Sequence, residues 1–162
     1  MIAHVQFASL LAFVAAACCG CGSGSVVSGT GFACACIGLC CCCAYSAKIR
    51  VFAAAIARAE GYGVTGAIPT VNNNPGDLMM VGDAGRDAHG YAVYSTPNAG
   101  WNALYHQVSL YVAGASASGI NLNSTILDLA RKYTGTQQAV WAQNVADYLG
   151  GSVNDKLSIW LS

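Results

Sequence analysis

Every charged side chain of this chain lies between Lys48 and Lys156, and every cysteine lies between Cys18 and Cys43. No single core can use both compositions, so the sequence reads as two objects: an apolar, cysteine-rich signal or membrane segment over residues 1–47 and a folded domain over 48–162. The 7 Lys+Arg balance the 7 Asp+Glu, and no basic run restores a local positive field. Nucleic acid is therefore not an expected partner, because phosphate neutralisation supplies most non-specific affinity. With 55% hydrophobic and only 9% charged residues, the composition excludes disorder and points to a membrane or export segment.

Met1 to Ala47 contains no Asp, Glu, Lys or Arg, and its apolar runs, Val5 to Cys19 and Phe32 to Ala47, are separated by a Gly/Ser stretch from Gly20 to Gly31. Each run is shorter than the roughly 20 residues that span a bilayer. The first run, followed by Ala15, Ala16 and Ala17, fits a secretory signal or a lipoprotein signal acylated at Cys18. Together the two runs also fit an uncleaved anchor or a two-helix membrane hairpin. Lys48 and Arg50 would then stand on the cytoplasmic side by the positive-inside tendency. Four consecutive cysteines, Cys40 to Cys43, point around a whole helix, whereas a zinc site needs separated pairs that converge. The cysteines are read as small apolar residues, with palmitoylation or cross-linking as the alternative; neither a metal nor an organic cofactor is expected.

Residues 48–162 carry a mainly helical pattern. Lys48 to Glu60 places Ile49, Phe52, Ile56 and Ala59 on one stripe and stops at Gly61 and Gly63. Thr96-Pro97 opens a second helix with Trp101, Leu104, Tyr105, Val108, Tyr111 and Val112 on its apolar side. A third starts near Asn123 or Ser124, with Thr125 and Asp128 spaced as a capping box, and runs to Gly135. A fourth starts at Thr136, buries Trp141, Val145, Tyr148 and Leu149, and stops at Gly150. A last turn holds Leu157, Trp160 and Leu161. Between the first two helices, Asp77 to Val81 and Tyr91 to Ser95 are β-prone runs joined by Gly82 to Gly90, read as a hairpin with a mobile tip. The fold class is α+β, mainly α, with the hairpin inserted between helices.

On a wheel of 100° per residue, Glu60 projects within about 20° of Ile49 and about 40° of Ile56, on the buried stripe. Burial and the negative end of the helix dipole both disfavour its charge, so its pKa is expected to rise. A carboxylic acid still protonated near neutral pH is what glycoside cleavage uses to protonate the leaving oxygen.

Ala55-Ile56-Ala57-Arg58-Ala59-Glu60-Gly61 resembles the helix of soluble lytic transglycosylases and goose-type lysozymes that ends in their catalytic glutamate. Asn72-Asn73-Asn74-Pro75-Gly76-Asp77 resembles the Asn-Asn-Pro-Gly segment of lysozyme-like proteins in phages, prophages and bacterial envelopes. Gly90 to Tyr94 and Thr96 to Leu104 look like the same group's hairpin strand and following helix, so the resemblance covers roughly Ile49 to Leu149. It implies a lysozyme-like domain that cleaves the β-1,4 bond between N-acetylmuramic acid and N-acetylglucosamine in peptidoglycan. Glu60 would be general acid and base, in a lytic transglycosylase that needs one carboxylate. In a hydrolase Asp77, Asp83 or Asp87 would be the second carboxylate. Asn73 and Asn74 are expected either to meet acetamido groups or to shape the turn before Pro75. Tyr91 and Tyr94 are expected on one strand face, stacking on sugar or packing on the core, and Tyr133 is expected beside Glu60. Two departures stand out: Gly61 replaces the usual serine, and Tyr133-Thr134-Gly135 replaces Tyr-Asn-x-Gly. The implied setting is the bacterial envelope or a phage virion, with glycan strands as partner and the membrane engaged through residues 1–47. The alternative is a non-catalytic virion or envelope protein that keeps the shape and grips glycan or a partner.

Overall fold

The computed structural model describes residues 45–79 and 84–162. The signal, lipidation, anchor and cysteine readings therefore fall outside the described residues, apart from Tyr45, Ser46 and Ala47. These three open the folded domain: Ser46 caps the first helix by accepting from Ile49 N, and the Tyr45 ring packs against Tyr105.

Among the described residues, six helices and one two-stranded sheet follow in order: α1 (Ala47–Ala59), α2 (Ile68–Val71), β1 (Gly85–Arg86), β2 (Ala92–Val93), α3 (Pro97–Ala113), α4 (Ile126–Tyr133), α5 (Gln138–Leu149) and α6 (Ser158–Leu161). The described region is mainly helical with a small antiparallel sheet, as the patterning led us to expect. No described helix is long and apolar enough to cross a membrane.

α1 is the centre of the core, packing against α3, α5 and α6. A helix touched from several sides must be apolar over most of its circumference. Here Phe52, Ala53, Ala55, Ile56 and Ala57 are all buried. The three alanines let neighbouring helices approach, while Phe52 and Ile56 belong to the same buried cluster as Leu104, Val108, Leu129, Val145 and Leu157. α1 closes in a Schellman motif. Gly61 takes φ +78°, Tyr62 N donates to Ala57 O at 2.9 Å, and Gly61 N donates to Arg58 O at 3.1 Å. The serine of the resembling families is replaced where the backbone turns left-handed, a conformation that costs glycine nothing.

α4 begins two to three residues later than the sequence reading, because Thr125 itself is the cap. Thr125 Oγ1 accepts from Asp128 N at 3.0 Å, and Asp128 Oδ2 accepts from Thr125 N at 3.0 Å. The segment before α6 pins this cap from outside through a bridge between Thr125 and Lys156. Thr125→Ala removes the Oγ1 that accepts from Asp128 N while leaving the backbone N–H bond to Asp128 Oδ2, and a loss of about 1 kcal/mol is expected in chemical denaturation.

The hairpin departs from expectation. Its first strand is Gly85–Arg86, inside the stretch read as the tip, paired as Gly85 with Val93 and Arg86 with Ala92. Asp77 and Leu78 are not strand, and Met80 and Val81 lie outside the described residues. The cause is Asp87, whose Oδ1 accepts from His89 N and Tyr91 N at 2.9 Å each and folds a tight turn that brings the partner strand close.

Candidate active site

Glu60 is the residue at which α1 stops, in helical conformation with its N–H bonded to Ile56 O at 3.0 Å. Its half-buried side chain meets α5, where Trp141 Nε1 donates to Glu60 Oε1 at 2.7 Å. Burial pushes the Glu60 carboxyl up to about 7; the Trp141 hydrogen bond pulls the other way, and the charge of Asp77 adds to the rise. Near neutrality the group is divided between acid and carboxylate, the state in which one side chain can give and take a proton.

Asp77 is the carboxylate that shares this environment. It follows Pro75-Gly76, adopts φ +46°, and buries Oδ1 without a hydrogen-bond partner. Desolvation, then the charge of Asp87, raise it to about 6. Both carboxyls are thus raised toward neutrality, and the charge of Asp77 adds to the rise of Glu60. Asp87 is of another kind. Desolvation alone would raise it, but donors from Asn72, Tyr91 and His89 outweigh that and hold its carboxyl below the usual range. With Asn72 Nδ2 at 2.8 Å it builds the hairpin turn. Asp83 lies outside the described residues.

The asparagine run fastens the loop to the hairpin. Asn74 is fully buried: its Nδ2 donates to Leu78 O at 2.9 Å and Ala92 O at 3.0 Å, and its Oδ1 accepts from Leu78 N at 2.9 Å. Asn73 Nδ2 donates to Tyr94 O at 3.0 Å, with φ +51°. Both Nδ2 groups are spent on backbone carbonyls, the turn-shaping arrangement, with Asn74 wholly buried and Asn73 half-buried. Gly100 in α3 makes the fastening possible, since a Cβ there would overlap the carbonyl oxygen of Asn73. Gly76 is equally confined, with its Cβ position 2.7 Å from Leu104 Cδ1 and 3.0 Å from the Tyr133 hydroxyl.

The tyrosines separate. Side chains alternate along an extended chain, so Tyr94 shares the buried side with Ala92, while Tyr91 and Val93 remain half-buried. Tyr91 and Tyr94 are therefore not on one face, and the Tyr94 hydroxyl is buried without a partner. Tyr91 stands nearer the acids: burial, then the charges of Asp77, Glu60 and Asp87, raise its pKa. Tyr133 does not donate to Glu60. Its hydroxyl is buried without a partner, and its ring stacks on Trp141 with centroids 5.0 Å apart at 25°.

The site thus gathers Glu60, Asp77 and Tyr91, and Trp141 is the member that sequence reasoning placed only in the core. The available signal was chemical: a buried indole needs an acceptor for its N–H, and the apolar stripe of α1 offered one carboxylate. No group of three or more His, Cys, Asp or Glu among the described residues could hold a metal ion. The chain matches no family model, no curated protein and no solved structure.

Proposed function

We propose that this chain is a peptidoglycan-cleaving enzyme with a lysozyme-like domain, acting on the β-1,4 bond between N-acetylmuramic acid and N-acetylglucosamine with Glu60 as general acid and base. The observation that carries the reading is the half-buried Glu60 carboxyl, raised to about 7 and held by the Trp141 N–H at a helix end. Glu60 would protonate the glycosidic oxygen as the bond to the anomeric carbon breaks. The muramoyl 6-hydroxyl then attacks that carbon, returns its proton to Glu60, and leaves a 1,6-anhydro end. This is the lytic transglycosylase route. Asp77 offers a second route: it is a second carboxyl whose charge acts on Glu60, and as a carboxylate it would activate water, which makes the product a hydrolytic one. Residues 1–47 would hold the domain at the bacterial envelope or in a virion.

The test is mass spectrometry of fragments released from sacculi by the full chain and by Glu60→Gln. Disaccharide-peptides one water lighter than hydrolysis products are expected from wild type, and none from the variant. Fragments of full hydrolytic mass would select the Asp77 route. A folded wild type that releases nothing would end the enzyme reading and leave a non-catalytic glycan-binding protein.

A further inference from the structure

We propose that Trp141 fixes which oxygen of the Glu60 carboxyl carries its proton, and that the Tyr133 ring holds the indole in place to do so. Its consequence for catalysis rests on the glycan-cleaving reading; the positioning itself does not.

An indole N–H is a donor only, so the atom it meets must accept. That atom is Glu60 Oε1, at 2.7 Å. A protonated carboxyl has one hydroxyl oxygen and one carbonyl oxygen, and the carbonyl oxygen is the better acceptor. The acid form of Glu60 therefore keeps Oε1 bare and carries its proton on Oε2, on the side away from the indole. A free carboxylic acid would spread its proton over both oxygens; this one presents it in a single direction.

The indole is itself fixed. Trp141 is 6% exposed, and Tyr133 covers one of its faces from α4. The Tyr133 hydroxyl makes no hydrogen bond, so this residue contributes its ring and not its oxygen. Among the described residues, the ionisable groups coupled to Glu60 are Asp77 from the loop, whose charge raises it, and Tyr91 beside β2 and Tyr133 from α4, which its own charge raises. Both tyrosines are raised above their usual range and stay neutral while Glu60 titrates. Asp77 is the one charge among them that changes in the same interval.

The chain contains a single glutamate, Glu60, so a preparation labelled with δ-13C glutamate gives one glutamate carboxyl resonance without assignment. The full chain in mild detergent is titrated as wild type, Trp141→Phe, Tyr133→Phe and Tyr133→Leu. Trp141→Phe keeps an aromatic ring and loses the donor, and its midpoint is expected to rise by about one pH unit, tenfold in proton affinity. Tyr133→Phe keeps the stack and leaves the midpoint in place, whereas Tyr133→Leu moves it upward by a smaller amount. In cleavage assays Trp141→Phe is expected to lower kcat about tenfold with KM nearly constant, the pattern of an interaction that matters in the transition state. A folded Trp141→Phe chain that titrates with wild type overturns the proposal. Should that variant fail to fold, equal midpoints for the two Tyr133 variants overturn it instead. A shifted midpoint in a protein that never cleaves sacculi upholds the positioning and removes the enzymatic reading.

Discussion

Glu60→Gln is expected to make the protein more stable than wild type above pH 7 and, on the glycan-cleaving proposal, to lose nearly all cleavage. Loss of a general acid costs about 10²- to 10⁴-fold in rate. The stability gain follows from linkage. Glu60 titrates at about 7 in the folded chain against 4.5 for a free glutamate, so between these values the native state binds a proton that the unfolded state has released. The stabilisation from that proton is complete below 4.5 and is lost as pH rises through 7. Above 7 wild type carries a half-buried anion worth at most about 3 kcal/mol of lost stability, which a neutral amide avoids while still accepting from Trp141. Denaturant unfolding at pH 4.5 and pH 8 checks this: the two proteins should coincide at the lower pH and diverge by about 2 kcal/mol at the higher. A difference that does not change with pH would mean that Glu60 is not desolvated in the folded state.

Gly100→Ala is expected to cost about 3 kcal/mol, lowering the thermal midpoint by about 10 °C, although alanine is the better helix former. The new methyl would overlap the carbonyl oxygen of Asn73 and press on Pro75 Cδ, and a backbone carbonyl cannot swing aside as a side chain can. Release of the loop from α3 would loosen the amides of Asn73 and Asn74 and move Asp77. Scanning calorimetry reads the stability, and the amide exchange of Leu78, whose N–H donates to Asn74 Oδ1, and of Ala92, whose N–H donates to Leu78 O, reads the loosening. A midpoint within 2 °C or so of wild type would show that the loop relaxes freely, against the packing described.

What could be read in advance was what is local. The caps at Thr96 and Thr125, the glycine stop after Glu60 and the apolar stripes all act within one or two turns, so the helices came out within about three residues of expectation. Glu60 was legible for the same reason, since helical geometry alone turns it toward the core. α2 was not, because Ile68-Pro69-Thr70-Val71 is a single turn with no room for a periodicity to show. The hairpin register was missed because it depends on an aspartate side chain folding the turn, not on β-propensity. Asn73 and Asn74 present the same amides whether they face sugar or backbone, and only the approach of α3 at Gly100 decides between the two. The pairing of Trp141 with Glu60 joins residues 81 positions apart, and no local pattern carries such a contact.

α1 is both the keystone of the core and the carrier of the candidate acid at its last turn. A substitution at Ala53, Ala55 or Ala57 that widened the gap between α1 and its neighbours would therefore be felt twice, once as packing and once as a changed reach from carboxyl to indole. Drift in this helix has no neutral interior: the chain can exchange its surface freely, but its middle and its chemistry must be inherited as one piece.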